Sequence, residues 1–244
     1  MHIENLPRFP LAHLPTPLEA LPRLSLALGG PELLIKRDDQ TGLAFGGNKT
    51  RKLEFLVGQA VESGADTLLT VGAAQSNHCR QTAAAAAKAG MKCELILNGA
   101  RSEMPNGNLL LNQLFGATEH WIDRSERAAK LQQLAEAARA RGCKPYLIPV
   151  GGSNAIGATG YALAMVELMD QLRARQQRVD HIVFGTSSGG TQAGIIVGAR
   201  VAGFEGQLHG LSIDKNDPEH FEYEAEVAQI ATDCATYIGA EVRV

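Results

Sequence analysis

The chain lacks any cysteine pairing signal: Cys79, Cys93, Cys143 and Cys234 show neither a C-x-x-C pair nor regular spacing. That excludes a disulfide framework and a structural zinc site, so reduced, mostly buried thiols and no metal are expected. No run of about 18 apolar residues occurs, so no membrane-spanning helix is expected. Met1-His2-Ile3-Glu4-Asn5 lacks the basic-then-apolar order of a secretion signal, and the expected compartment is the cytoplasm. There is no basic excess either, the net charge being -3. The one basic run, Lys49, Arg51 and Lys52, is too short for a phosphate-backbone stripe, which excludes a nucleic-acid partner. Repeats and low-complexity segments are missing, and the alanine run Ala83–Ala87 needs only helix propensity to explain it.

What is present is the composition of an ordinary globular protein, 45% hydrophobic and 20% charged over 244 residues, enough for one large or two small domains. Leu33–Arg37, Thr67–Val71, Lys92–Leu97, Thr118–Ile122, Pro145–Val150, His181–Thr186 and Gln207–Ile213 read as strands. Thr67-Leu68-Leu69-Thr70-Val71 is apolar without alternation, which suits a parallel strand covered by helices on both faces. Leu53, Leu56, Val57, Ala60 and Val61 trace an amphipathic helix, with Gly46-Gly47-Asn48 as turn and N-cap. Further helices are expected at about 78–89, 107–115, 125–141, 155–174, 190–202 and 217–231. The alternation predicts an α/β fold.

Three strand ends run through small-residue turns into helices: Val71–Asn77, Val150–Asn154 and Gly185–Thr191. Glycine after a strand is common in any α/β turn, but the carboxyl ends of strands are also where open sheets bind ligands. Gly189-Gly190-Thr191 opening a helix offers backbone N–H groups and a helix dipole to a phosphate, with the Ser187, Ser188 and Thr191 hydroxyls beside them. The turn has neither the lysine of a Walker loop nor dinucleotide spacing, so a monophosphate cofactor is expected. Lys49 is the second element. The positive helix end and the neighbouring Arg51 and Lys52 are expected to lower its pKa below the usual ~10.4. A neutral amine is the form that makes a Schiff base; the alternative is a solvated surface lysine.

Lys36-Arg37-Asp38-Asp39, Gly46-Gly47-Asn48-Lys49-Thr50-Arg51-Lys52-Leu53-Glu54, Gln75-Ser76-Asn77-His78 and Arg80-Gln81-Thr82 closely resemble the D-cysteine desulfhydrase and 1-aminocyclopropane-1-carboxylate deaminase family of fold-type II pyridoxal-phosphate enzymes. The resemblance runs from Arg8-Phe9-Pro10 to about Ile213. It implies two open parallel-sheet domains, tryptophan synthase β-like, with pyridoxal 5'-phosphate in the cleft between them. The smaller domain is expected at 47–152, inserted into a larger one made of 1–46 and 153–244. Lys49 is implied to hold the cofactor covalently and to move protons, and Asn77 to hydrogen-bond its ring oxygen. Ser76 is implied to lie on the cofactor face, as a second proton-transfer group or, with Gln75 and Asn77, as an anchor for the substrate carboxylate. Ser188, Gly189, Gly190 and Thr191 are implied to hold the phosphate. His78 is a candidate base for Ser76, although a histidine at a helix start is more often a cap or a surface group. Tyr161 reads as packing.

The implied activity is α,β-elimination from a small amino acid, D-cysteine above all, giving pyruvate, sulfide and ammonia. L-cysteate sulfo-lyase and 1-aminocyclopropane-1-carboxylate deaminase activities are the alternatives, and His78 after Asn77 favours the desulfhydrase branch over the deaminase branch. A homodimer is also implied. The family's Gly-Tyr-Gly and His-Thr-Gly-Gly turns, which face the substrate and the pyridine nitrogen, do not occur here, and Ala240–Val244 alternates like the start of a strand. A truncated relative with impaired catalysis is therefore a further expectation, with apolar surface exposed where the missing part would pack.

Overall fold

Short apolar strands alternating with longer helices over residues 67–147 build a parallel sheet, in a computed structural model that describes residues 5–101, 103–213 and 222–242. In chain order the elements are β1 (Leu18–Ala20), α1 (Pro22–Leu28), β2 (Leu34–Lys36), α2 (Lys49–Glu62), β3 (Thr67–Ala73), α3 (Asn77–Ala89), β4 (Lys92–Asn98) and α4 (Gly107–Leu114). They continue with β5 (Thr118–Ile122), α5 (Arg127–Ala140), β6 (Pro145–Leu147), α6 (Ala155–Ala174), β7 (His181–Thr186), α7 (Gly190–Ala202), β8 (Gln207–Ser212) and α8 (Tyr223–Tyr237). One sheet has the order β5-β4-β3-β6, all parallel, with Thr67 opposite Lys92 and Pro145, and Glu94 opposite Thr118. The second pairs β7 with β8 in parallel, and β1 pairs β2 antiparallel. No helix among the described residues is long and apolar enough to cross a membrane.

The unbroken apolar run of β3 is buried on both faces from Thr67 to Gly72, as its pattern predicts. β7 and β8 depart from that expectation. Ile182, Phe184 and Leu208 pack on one core, but Val183 and Leu211 on the other face are 61% and 59% exposed, so helices cover only one side among the described residues. β1 and α1 escape sequence prediction because they are short and α1 buries no side chain. The last helix lies later than 217–231, since its buried stripe of Val227, Ala231, Cys234 and Ala235 continues past Ala231. Residues 217–221 lie outside the described residues, and Ala240–Val242 form no strand.

α2 differs most from its predicted character. Val61 is exposed, whereas every residue from Thr50 to Gly58 is buried, including Arg51, Lys52 and Glu54. Each buried charge in such a helix needs a partner. Glu54 accepts from the Leu11 and Ala12 amides and from Arg8, tying the N-terminal segment down. Arg51, only 2% exposed, donates to Asp38 and to Glu167, both at 2.9 Å. Lys36 joins Glu167, and the Tyr161 hydroxyl donates to Asp38 at 2.7 Å. Lys36, Asp38 and Tyr161 are thus held in a structural ionic cluster, whereas Arg37 pairs with Glu19 and Asp39 nearer the surface. Backbones approach closely beside it: a Cβ on Gly160 would stand 2.3 Å from the Arg51 carbonyl oxygen. Cβ atoms on Gly194 and Gly198 would likewise stand 2.2 and 2.4 Å from carbonyl oxygens of Ala158 and Ala162. Glycine alone lets α2, α6 and α7 pack at this distance.

Candidate active site

Lys49 opens α2 directly after a turn that only glycine can make. Gly46 has φ +72°, and a Cβ there would lie 1.9 Å from the Asp39 carbonyl oxygen. The Gly46 carbonyl accepts from Arg80 Nη2 at 2.7 Å and from Gln81 Nε2 at 2.5 Å, which accounts for the Arg80-Gln81 part of the motif. Asn48 does not cap the helix as its position predicts. Its backbone is helical and its side chain makes no capping bond. Instead its Nδ2 donates to Thr191 Oγ1 at 3.3 Å and its Oδ1 accepts from Lys49 Nζ at 3.3 Å, so a partner at the start of α7 has displaced the local cap.

The Lys49 amine is held below the ordinary lysine value, and the cause is burial rather than neighbouring charge. Arg51, expected to repel it, is neutralised by Asp38 and Glu167. Lys52 is 1% exposed and turns its Nζ to the Gly151 carbonyl at 3.0 Å and Ser153 Oγ at 3.3 Å. Burial, then the Lys49 charge, holds the Lys52 amine well below its usual value.

The turns after β6 and β7 converge on this lysine. A Cβ on Gly151 would stand 2.3 Å from Ser188 Oγ and 3.5 Å from Lys49 Cε, so both lie around a single point. A Cβ on Gly190 would meet Ser153 Oγ at 2.7 Å and Lys52 Nζ at 2.9 Å. Ser153 Oγ bonds Ser188 Oγ at 2.8 Å and accepts from the Gly190 amide at 3.2 Å. α7 starts on Gly189, φ +75°, which has no side chain to cap the helix. Glycine walls, hydroxyls, a helix start and a buried amine with no acidic partner among the described residues form a donor set for a phosphate. A phosphate there would also supply the counter-charge that Lys52 lacks. Lys52 and Ser153 escape sequence reasoning as site residues, Lys52 because it passes for a surface cation and Ser153 because only the fold brings it to Gly190.

The turn after β3 carries the remaining candidates. Ser76 is the N-cap of α3, its Oγ accepting from the Cys79 amide at 3.2 Å. Gln75 is exposed and its carboxamide is engaged at the start of α4, with Asn106 Oδ1 at 3.0 Å and the Asn108 amide at 2.8 Å. Asn77 is exposed, and its Oδ1 accepts from Arg80 Nη1 at 3.1 Å and from Asn108 Nδ2 at 2.9 Å. His78 is neither a cap nor a surface group. It is 4% exposed, with Nε2 2.8 Å from Thr70 Oγ1. Thr70 donates its own proton to the Ile148 carbonyl, so His78 must be the donor. Burial, then the Lys49 and Lys52 charges, keeps the ring well below its usual pKa, hence neutral and bound away from Ser76. All four cysteines are free, and no group of three or more metal-ligating side chains occurs among the described residues.

The family model for pyridoxal-phosphate dependent enzymes matches residues 10–236. Curated relatives include a D-cysteine desulfhydrase of Klebsiella pneumoniae (strain 342), 46% identical over 225 residues, covering 88% of this chain and 68% of that protein. A D-cysteine desulfhydrase of Salmonella choleraesuis (strain SC-B67) is 46% identical over 224 residues, covering 89% and 68%. Among solved structures, an ACC deaminase homologue superposes with a TM-score of 0.88 at 36% identity, over 99% of this chain and 73% of its own. A T.th. threonine deaminase, at 21% identity and a TM-score of 0.65 over 86% of this chain and 63% of its own, shares the fold.

Proposed function

The chain belongs to the pyridoxal-phosphate-dependent enzymes of fold-type II, and from that premise we propose that it is a D-cysteine desulfhydrase. The reaction is D-cysteine plus water to pyruvate, sulfide and ammonia. The observation that carries the proposal is the 46% identity to D-cysteine desulfhydrases over 88% of the chain. The convergence of Lys49 with the Gly151 and Gly190 turns supplies the matching site. Activity on 1-aminocyclopropane-1-carboxylate is the second reading, favoured by the TM-score of 0.88 to the ACC deaminase homologue.

The cofactor supplies an electron sink for the substrate's α-carbon. Lys49 Nζ holds the cofactor and moves the proton at that carbon, a role that burial prepares by favouring the neutral amine. Ser188, Gly189, Gly190 and Thr191 hold the phosphate, with Ser153 and Lys52 behind them. Asn77 donates to the ring oxygen. Ser76, with the backbone of Gln75 and Asn77, orients the substrate carboxylate, and the Ser76 hydroxyl is a second proton-transfer group. The proposed domains are 47–152 and 1–46 with 153–244, supported by separate buried clusters around Leu68, Leu95 and Leu97 and around Ala162, Ala193 and Val197. A cytoplasmic homodimer acting on a small amino acid completes the proposal.

The test is substrate comparison by keto-acid and sulfide release. D-cysteine is expected to give pyruvate and sulfide in equal amounts. Turnover of 1-aminocyclopropane-1-carboxylate with none of D-cysteine would overturn the assignment. Ser76→Ala is expected to lower kcat about a hundredfold or more, within the range of lost proton-transfer catalysis, with bound cofactor unchanged. Its lost cap should lower stability by about 1 kcal/mol, read by urea denaturation. Parallel losses of turnover and cofactor content would make Ser76 structural only.

A further inference from the structure

We propose that Asn108 is a positioning residue of this site, which together with Arg80 fixes the Asn77 carboxamide so that its NH2 group, and not its oxygen, is presented to the cleft. The inference starts from donor and acceptor inventories. The Arg80 guanidinium can only donate. It donates from Nη1 to Asn77 Oδ1 at 3.1 Å and to Asn108 Oδ1 at 3.0 Å, and from Nη2 to the Gly46 carbonyl at 2.7 Å. Both amide oxygens must therefore face Arg80, which settles the orientation of both side chains. With its oxygen so placed, Asn108 turns its Nδ2 to the Gln75 carbonyl at 2.7 Å and to Asn77 Oδ1 at 2.9 Å. Two donors fill the two lone pairs of Asn77 Oδ1, and its Nδ2 has no protein partner among the described residues.

The same residue holds the turn from its other side. The Asn108 amide donates to Gln75 Oε1 at 2.8 Å, and Gln75 Nε2 returns to Asn106 Oδ1 at 3.0 Å. Gly107 between them has φ +50°, and a Cβ there would stand 2.8 Å from Gln75 Oε1, so glycine leaves the space in which Gln75 lies. Asn106-Gly107-Asn108 is thus a clamp on Gln75-Ser76-Asn77, and Arg80 ties that clamp to the glycine turn before Lys49.

The consequence for chemistry rests on Asn77 being the donor to the cofactor's ring oxygen. A donor there favours the ionised oxygen. Losing it should raise the pH at which the bound cofactor's visible absorption changes. Asn108→Asp is close to isosteric but replaces the donor facing Asn77 with an acceptor. The expected result is an upward shift of that midpoint by about one pH unit, a tenfold change in proton affinity. Asn77→Ala should shift it in the same direction. A shift in Asn77→Ala with none in Asn108→Asp would overturn the positioning role while leaving the reading of Asn77 intact. No shift in either would overturn the reading of Asn77, and the positioning role with it. A shift in Asn108→Asp alone would also reject the role, because Asn108 would then act by another route. Should Asn108→Asp not fold, Asn108→Ser, which removes the donor without adding charge, is read against the same outcomes.

Discussion

Lys49→Ala is expected to abolish the borohydride-trappable attachment of pyridoxal phosphate, with no other lysine taking its place. Trapping needs a neutral amine at the site. Lys36 is bonded to Glu167 in the structural cluster. Lys52 is near enough to be a rival, but it is fully buried and its Nζ is bound to Gly151 and Ser153 on the phosphate side. In the native chain, burial lowers the Lys49 pKa, so the neutral fraction and the trapping rate should already rise at a pH below the ordinary lysine value of 10.5. Peptide mass mapping after reduction at several pH values checks both statements. Label persisting at full yield in Lys49→Ala, or found on Lys52, would refute the assignment.

Arg51→Met is expected to cost about 3–5 kcal/mol of stability at neutral pH, the size associated with breaking a buried ion pair from one side. Asp38 and Glu167 would lose their shared guanidinium, and the thioether offers neither a donor. The pH dependence gives the sign. Burial pushes the Glu167 carboxyl up, but the Arg51 and Lys36 hydrogen bonds and charges outweigh it and leave the group below its ordinary 4.5. A carboxyl depressed in the folded state contributes stability above its unfolded pKa and loses that contribution as pH falls through the folded one. The native chain should therefore lose stability on acidification below about pH 4.5 by more than Arg51→Met does, and the gap between them should narrow. Urea denaturation at pH 7 and near pH 4 measures it. A gap under about 1 kcal/mol at pH 7, the size of a surface pair, would show the cluster to be dispensable.

What the sequence reveals here is what local pattern controls. β3, α3, α6 and α7 follow from apolar period and from glycine turns, because those signals act within a few residues. Lys49 and the Gly189–Thr191 turn are legible as candidates because the chemistry proposed for them demands unusual residue types in a short span. Contacts made at long range are not legible. Arg51 and Glu167 are 116 positions apart, and Asn77 and Asn108 are 31 apart. Nothing in either local segment announces the other. Asn48 shows the same limit from the opposite side: its residue type predicts a cap, and a tertiary partner on Thr191 prevails. The lowered pKa of Lys49 was foreseeable in direction, yet its cause needed the fold, since only the fold shows Arg51 neutralised and the amine covered.

The glycines through which α2, α6 and α7 touch carry a consequence for how this chain can diverge. At Gly160, Gly194 and Gly198 any side chain would strike a carbonyl oxygen within 2.4 Å, so a substitution must move a helix before it can be accommodated. Lineages descended from this chain are therefore as constrained at these three positions as at Lys49, for opposite reasons. On the proposed assignment, loss of Lys49 leaves a folded protein without its chemistry, whereas loss of these glycines disturbs the frame on which any chemistry could be rebuilt. New specificities should accordingly arise by exchange at exposed positions outside the Asn106-Gly107-Asn108 clamp, while the helical frame is inherited unchanged.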